Sequence, residues 1–363
     1  MKFIIRRPFL LALLEKAWTV TIGGTLSTTK GFYFVQKDDT LTVARTDSIL
    51  SAVASTNVVN WVNKEAPNEF LVDAEKFLRL IRGLACDEVS LSVEDNEIAI
   101  SGDNFNAEWL LFDLKDFPKL PVYHREMSLE VPTIEFVGAV DRIRYAASIE
   151  SLTSAYKQIY FENGACWATD GYNYQAVETK ITLPNQVALP LIGLDVVKFL
   201  RLSGVSSFFL SWDDDHYYFM IGNDAFVCRR SPVQPPNPLL DFYGKLSMEY
   251  HKLPYFTFEV RLLRRIVERV AITGSFSNKR IWFHVTPTTL TINGVDEDGN
   301  SSSEVLIITL NGDKTDRTLG IHYEMLLSAL ASVRKESANF RFNKNHFLIT
   351  SEDSTAILPL LKK

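Results

Sequence analysis

The sequence of 363 residues holds only three cysteines and six histidines, and no apolar run approaches the roughly 18 residues a membrane span requires. Cys86, Cys166 and Cys228 are widely spaced and odd in number, which argues against a disulfide framework or a cysteine zinc site and suits a reducing cytoplasm. The histidines are isolated, without metal-ligand spacing. There is no GxxxxGK[ST] loop to cradle phosphates, and no Ser or Cys sits in a nucleophile elbow. DDDH at Asp213–His216 and DEDGN at Asp296–Asn300 lie between alternating strands, and neither completes a calcium loop. With no converging set of reactive groups, the chain reads as a non-enzyme that needs no cofactor or metal. The opening MKFIIRRPFLLALLEKAWTV has a short apolar run broken by Glu15 and Lys16, and reads as a strand and a helix, not a signal peptide.

What the sequence does have is a repeat. KFLRL occurs at Lys76–Leu80 and again at Lys198–Leu202, 122 residues later. Before each copy an alternating strand runs into a polar turn, with Thr46-Asp47 in the first and Thr169-Asp170-Gly171 in the second. A third such turn carries Asp296, so the aspartates stand 123 and 126 residues apart. After each KFLRL come strands joined by acidic or Asn-containing turns, the pattern of meander hairpins. Each third opens with a helical period, in RRPFLLALLEKA, IEFVGAVDRIRYAA and VRLLRRIVERVAI, and the last third has a second helix in HYEMLLSALASV. The expected architecture is α+β: three tandem similar domains at 1–122, 128–248 and 254–363, each with two helices packed on antiparallel sheets. The joints are DFPKLPVYHRE and the proline-rich SPVQPPNPLLDFYGKL…HKLP.

A net charge of −6 by itself disfavours nucleic acid, but the charge is unevenly spread. The six helix candidates, at 7–17, 73–84, 132–147, 192–203, 259–272 and 322–335, together carry +6, which leaves −12 on the rest of the chain. In the KFLRL helices Phe and Leu form the buried stripe, while Lys76, Arg79 and Arg82, then Lys198 and Arg201, fall on the exposed arc. Arg261, Arg265 and Arg269 recur every four residues. An acidic chain with basic helices is suited to phosphate contact on one surface and repulsion elsewhere.

In these features the chain resembles the bacterial replicative sliding clamp, the beta subunit of DNA polymerase III. The resemblance rests on MKF, EKFLRLIRGL with the later SGDNF…LKDFPKLP, WATDGYNY, AITGSFSNKRIWFHV and the terminal ILPLL. It spans essentially the whole length. It implies three domains of the DNA-clamp type, a head-to-tail homodimer closing a ring, and double-stranded DNA held without sequence readout by helices lining the hole. The DNA-facing candidates are Lys76, Arg79, Arg82, Arg142, Arg144, Lys198, Arg201, Arg261, Arg265 and Arg334.

The resemblance also implies a cleft where the replicative polymerase and the clamp loader insert short linear peptides. Carried over, it takes in Tyr156, Thr169, Gly171, Tyr172, Asn173, Tyr174, Leu240, Met325, Ile357, Leu358, Pro359 and Leu360. The ring contact falls on Ala107 and Trp109 against Ile272 of a second copy. Several motifs depart from the family pattern: Tyr172, Asn173 and Tyr174 follow the TDG turn, PLLDFYGK replaces an aromatic-Pro-Asp-Tyr segment, TLSTTKG replaces an early Leu-Pro-Ile-Leu, and the ending is Leu358-Pro359-Leu360-Leu361. Such divergence suits a bacteriophage-encoded or otherwise unusual clamp. The competing expectation is a nucleic-acid-processing enzyme or structural protein built on tandem α+β domains.

Overall fold

Periodic apolar residues become helices here where a buried stripe meets a sheet, and the helix ends follow local chemistry. The computed structural model describes residues 1–363 except 21–27, 65–67, 116, 122–127, 185, 232 and 363. The expected joint at 122–127 and the start of TLSTTKG at 25–27 lie outside the described residues. Among those described are seven α-helices: α1 (Arg7–Ala17), α2 (Ala74–Gly83), α3 (Thr133–Ile143), α4 (Asp195–Ser203), α5 (Asn237–Glu249), α6 (Val260–Val270) and α7 (Tyr323–Ser332). Six of them are the periodic segments of the sequence, two per repeat. The seventh, α5, falls in the segment read above as a proline-rich joint. Its prolines do not forbid it, because Pro236 is the capping residue and Pro238 stands in the first turn, where a missing N–H costs no hydrogen bond.

All four sheets are antiparallel. In one compact unit, residues 1–134 and 192–230, a five-stranded sheet runs Asn60–Asn63, Lys2–Arg6, Glu88–Glu94, Glu97–Gly102, Phe105–Leu110. The same unit holds an eight-stranded sheet whose centre pairs Asp224–Arg229 with Leu50–Thr56. The other unit, residues 135–191 and 231–363, has an eight-stranded sheet in which Tyr174–Glu178 pairs with Ser354–Pro359. It also has a four-stranded sheet ordered Ser301–Ile307, Thr289–Val295, Arg280–Val285, Arg317–His322. The chain thus repeats three times but compacts into two units. Sheets run continuously from one repeat into the next, so the middle repeat contributes to both.

The first core gathers Phe3, Leu10, Phe34, Phe70, Phe77 and Ile81, with Phe34 stacked on Phe70 at 4.5 Å and edge-on to Phe77 at 5.6 Å. The last repeat has its own core around Phe256, Leu263, Ile266, Phe283, Phe340 and Phe347. Each such fully buried ring contributes roughly 2–3 kcal/mol against the chain entropy lost on folding. The acidic hairpin turns behave as their composition demands, with positive φ at Asp95 (50°) and Asp103 (45°).

Candidate nucleic-acid interface and peptide cleft

The two KFLRL copies are equivalent helices. In α2 the Asp73 side chain accepts a hydrogen bond from the Lys76 N–H at 2.9 Å, capping the helix. Phe77 and Ile81 are fully buried, and Lys76, Arg79 and Arg82 are exposed. Arg82 meets Glu15 of α1 at 3.2 Å, and Lys76 lies 3.8 Å from Asp73. In α4, Val196, Phe199 and Leu200 are buried, while Lys198 and Arg201 are exposed, with Lys198 3.1 Å from Asp195. Gly204 ends α4 in the left-handed region at φ 64°, donating to the carbonyls of Leu200 and Arg201.

On α6, Arg261, Arg264, Arg265 and Arg269 all lie on the exposed side of a helix whose other side buries Leu263, Ile266, Val267 and Val270. Arg264 pairs with Glu268 at 2.9 Å, and Arg269 grips Glu304 through two hydrogen bonds of 2.7 and 2.8 Å. Among the described residues no carboxylate lies within ion-pair distance of Arg261 or Arg265.

One of the two arginine candidates at the end of α3, Arg142, is corrected by the structure. Arg142 is only 7% exposed, with its guanidinium 2.9 Å from the Asp353 carboxylate and its Nε donating to the Ser332 carbonyl at 2.5 Å. Burial pulls its pKa down, with Asp353 acting in the opposite sense. It is a structural ion pair and leaves the exposed basic set. Arg144 is half-buried in a turn after α3, over the Tyr145 ring at 4.7 Å and donating to its hydroxyl at 2.6 Å. Arg334 is exposed and lies across α3 where Gly138 leaves room: a Cβ there would stand 2.2 Å from its guanidinium.

The TDG turn is built by its own side chains. Asp170 Oδ1 accepts from the N–H groups of Tyr172 and Asn173, both at 2.8 Å. Thr169 donates its hydroxyl to the Asn173 carbonyl at 2.5 Å and accepts from the Gly171 N–H at 3.1 Å. Gly171 has φ 94° and faces the Tyr156 ring, which a Cβ would approach to 2.8 Å, so a larger residue is doubly excluded. Asp47 caps Ile49 and Leu50 in the same way, and Asp296 caps Asp298 and Asn300. The three aspartates of the repeat therefore do one job.

The expected cleft residues separate into groups. Asn173 and Met325 line an open pocket of about 550 Å³ with Tyr145, Asp170, His322 and Ser328. Tyr172 is 72% exposed, Tyr156 is half-buried, and Thr169 and Asn173 are buried. Tyr174 and Ile357 sit side by side on adjacent strands, with Leu348 beyond Ile357, and Tyr243 of α5 covers them. Leu240 packs beside Tyr160, Trp167 and Ala188. Burial lifts the phenols of both Tyr174 and Tyr243 to about 12. Two tail residues are corrected: Leu358 points into the core of the last repeat, and Ile357 is fully covered. Strand alternation sends them to opposite faces. Pro359 is half-buried, and the half-buried Leu360 lines a separate hollow with Leu253, Pro254 and Phe342.

Of the expected ring-contact residues, Ala107 and Trp109 lie on Phe105–Leu110, the outermost strand of the five-stranded sheet. Trp109 turns its ring inward, edge-on to Phe77 at 6.1 Å, and packs on the first core. Ile272 is 74% exposed. Periodicity alone also missed exposed apolar residues at sheet edges: Leu110 on that strand, and Val305 and Ile307 on Ser301–Ile307, the edge of the four-stranded sheet. Their signal was an apolar residue on the polar side of an alternating strand.

The three cysteines are buried and free. Among the described residues no group of His, Cys, Asp or Glu is placed to hold a metal ion, and no helix is long and apolar enough to cross a membrane.

Residues 1–121 match the family model described as DNA polymerase III beta subunit, N-terminal domain. Solved structures extend the likeness to the whole chain. The DNA polymerase III subunit beta from Pseudomonas aeruginosa superposes with a TM-score of 0.87 at 18% identity, covering 100% of both chains. The fold is that of a bacterial sliding clamp. The clamp fold recurs in the DNA polymerase III beta subunit of Thermotoga maritima, with a TM-score of 0.87 and 16% identity over 100% of this chain and 99% of that one. A beta sliding clamp from C. crescentus, solved with PEG bound to a putative beta-motif tethering region, gives a TM-score of 0.86 and 18% identity over 100% and 99%. No curated protein matches the sequence. A clamp fold accounts for two helices per repeat and for antiparallel sheets that continue across the joints.

Proposed function

We propose that the chain is a DNA sliding clamp, a processivity factor that works in the cytoplasm without chemistry of its own. The observation that carries this reading is the clamp fold over the full length, joined to the beta-subunit family match of the first third. Two copies join head to tail, with three domains each, to close a ring around duplex DNA. The open edge at Phe105–Leu110, with Ala107 and Leu110, pairs with the edge at Ser301–Ile307 of a second copy, beside Ile272. Unpaired strand edges carrying exposed apolar side chains favour this kind of strand addition. Lys76, Arg79, Arg82, Lys198, Arg201, Arg261, Arg265 and Arg334 supply exposed positive charge for phosphate contact, and Arg144 stands at its margin. Such contacts are weak and blind to sequence, so the ring stays on DNA and still moves. The replicative polymerase and the clamp loader dock by short peptides near the TDG turn, around Tyr156, Tyr172, Asn173, Tyr174 and Met325.

The test loads the protein on nicked circular DNA and then cuts the circle. A clamp is retained on the circle and slides off the free ends. Equal retention on circular and linear DNA, or a monomer at every concentration by light scattering, would overturn the reading in favour of an ordinary nucleic-acid-binding or processing protein.

A further inference from the structure

In the second compact unit Arg142 and Arg341 are both buried, and only Arg142 has a carboxylate. Arg341 is 8% exposed, and among the described residues no carboxylate lies within ion-pair distance of it. It stands on the strand Ser337–Phe342, between Tyr255–Glu259 and His346–Thr350 in the eight-stranded sheet. Tyr255 is its direct cross-strand neighbour. The guanidinium lies over that ring at 4.3 Å, and over the ring of Tyr250, just after α5, at 5.0 Å. Aromatic faces stabilise a desolvated cation but take none of the N–H groups in its plane, so the edges of the guanidinium still call for acceptors. Its Nη1 donates to the Tyr250 carbonyl in a long contact of 3.4 Å, and the buried Nε–H meets no acceptor in the protein. A buried donor in that state is costly unless a group from outside the chain completes it.

Strand alternation sets Ser337 and Asn339 on the same face as Arg341. With Thr257 and Lys335 they line a pocket of about 400 Å³, a volume that suits a small molecule. The Thr257 hydroxyl donates to Asn339 Oδ1 at 2.7 Å, which fixes the amide and leaves its NH2 group to donate. Lys335 is exposed and paired with Glu352 at 2.5 Å, and both lie on the pocket wall. The lining therefore sets two cations against one acid. None of its residues belongs to the set carried over for the peptide cleft, and Leu348 stands between Arg341 and Ile357 in the sheet.

We propose that this pocket binds a tetrahedral oxyanion, inorganic phosphate or the phosphate of a small phosphomonoester, with the Arg341 Nε–H, the Asn339 amide and Lys335 as its donors. A charged planar fork matches paired acceptor oxygens, and the separate donors on Asn339 and Lys335 suit a group with further oxygens better than a carboxylate. Nothing in this depends on the clamp reading.

The experiment titrates the full-length protein with sodium phosphate, AMP and sodium acetate by calorimetry, with sodium chloride holding the ionic strength constant. Phosphate or AMP should bind saturably, and at least about tenfold more tightly than acetate. Tighter binding of AMP assigns the site to a phosphomonoester, and tighter or equal binding of phosphate assigns it to the free ion. Acetate binding as tightly as either, or no saturable binding at all, overturns the proposal. Arg341→Lys keeps the charge but loses the fork, and should weaken phosphate binding about tenfold. Asn339→Asp sets a second acid in the pocket and should weaken it at least as much, about tenfold or more. It reads the site even where the Arg341 variant fails to fold: native affinity in an Asn339→Asp protein of native Tm overturns the proposal. Changing Lys198, Arg261 and Arg265 to Glu should leave phosphate affinity within about twofold, and its loss would move binding to the basic helices and overturn the pocket. Circle retention should survive Asn339→Asp, so failure of retention in the native protein counts against the clamp reading alone, and failure of phosphate binding against this site alone.

Discussion

Helices α3 and α6 open the second and third repeats, and both are amphipathic with arginines near their ends, yet the arginines have opposite fates. Those of α6 stay in water, where Arg264 and Arg269 take surface partners and Arg261 and Arg265 remain on the exposed face. Arg142 of α3 is drawn inside, where Asp353 and the last carbonyl of α7 receive it. A cation at a helix C-terminus is favourable, and a buried one is tolerated only with such partners. The same residue type on an amphipathic helix is therefore buried in an ion pair in the second repeat and kept in water in the third. The neighbour decides which.

The largest effect that would sharpen this contrast is on DNA. Changing Lys198, Arg261 and Arg265 to Glu should abolish retention on circular DNA with the Tm and dimer unchanged. The single change Arg265→Glu should lower the log–log salt slope by about 1. Normal retention by the triple variant would remove α4 and α6 from the interface.

Next in size is stability. Arg142→Ala leaves the Asp353 carboxylate and the Ser332 carbonyl without their partner and should cost about 3 kcal/mol in urea unfolding. Arg265→Ala should cost no more than about 0.5 kcal/mol. Equal costs would erase the distinction between the two helices.

The smallest effect concerns the other end of α7, where the His322 ring accepts the Met325 N–H at 3.3 Å as the helix cap. Burial holds both His322 and His346 below the ordinary value of 6.5. A histidine depressed on folding contributes stability that is complete above its unfolded value of 6.5 and is lost as the pH falls from there through its lower folded-state value, because the unfolded state takes the proton more readily. The Tm should fall between about pH 7 and 5, and His322→Asn, which keeps a capping oxygen but cannot titrate, should flatten part of that fall. An unchanged pH profile in the variant would show that the cap is not linked to protonation.

Much of this was legible in the sequence because it rests on local rules. The six repeat helices follow from apolar spacing, and the turns at Asp47, Asp170 and Asp296 from the ability of a short carboxylate to bind the backbone two or three residues on. Helix α5 was hidden because its prolines look like breakers, although the first turn of a helix is the one place they fit. The candidate cleft was legible as a set of residues but not as a surface. Strand alternation turned Leu358 into the core, and α5 closed over Ile357.

The amino-acid sequence by itself determined the threefold repeat, the helix pairs, the acidic turns and the concentration of positive charge on helices, since each depends on neighbours a few residues away. Only the tertiary structure decided that Arg142 belongs to an ion pair, that strands pair across repeat boundaries to make two compact units, and that the apolar face at Tyr174 is already occupied. Those outcomes depend on partners up to about 210 residues distant, as Asp353 is from Arg142. Burial and charge pairing are settled only when such segments meet.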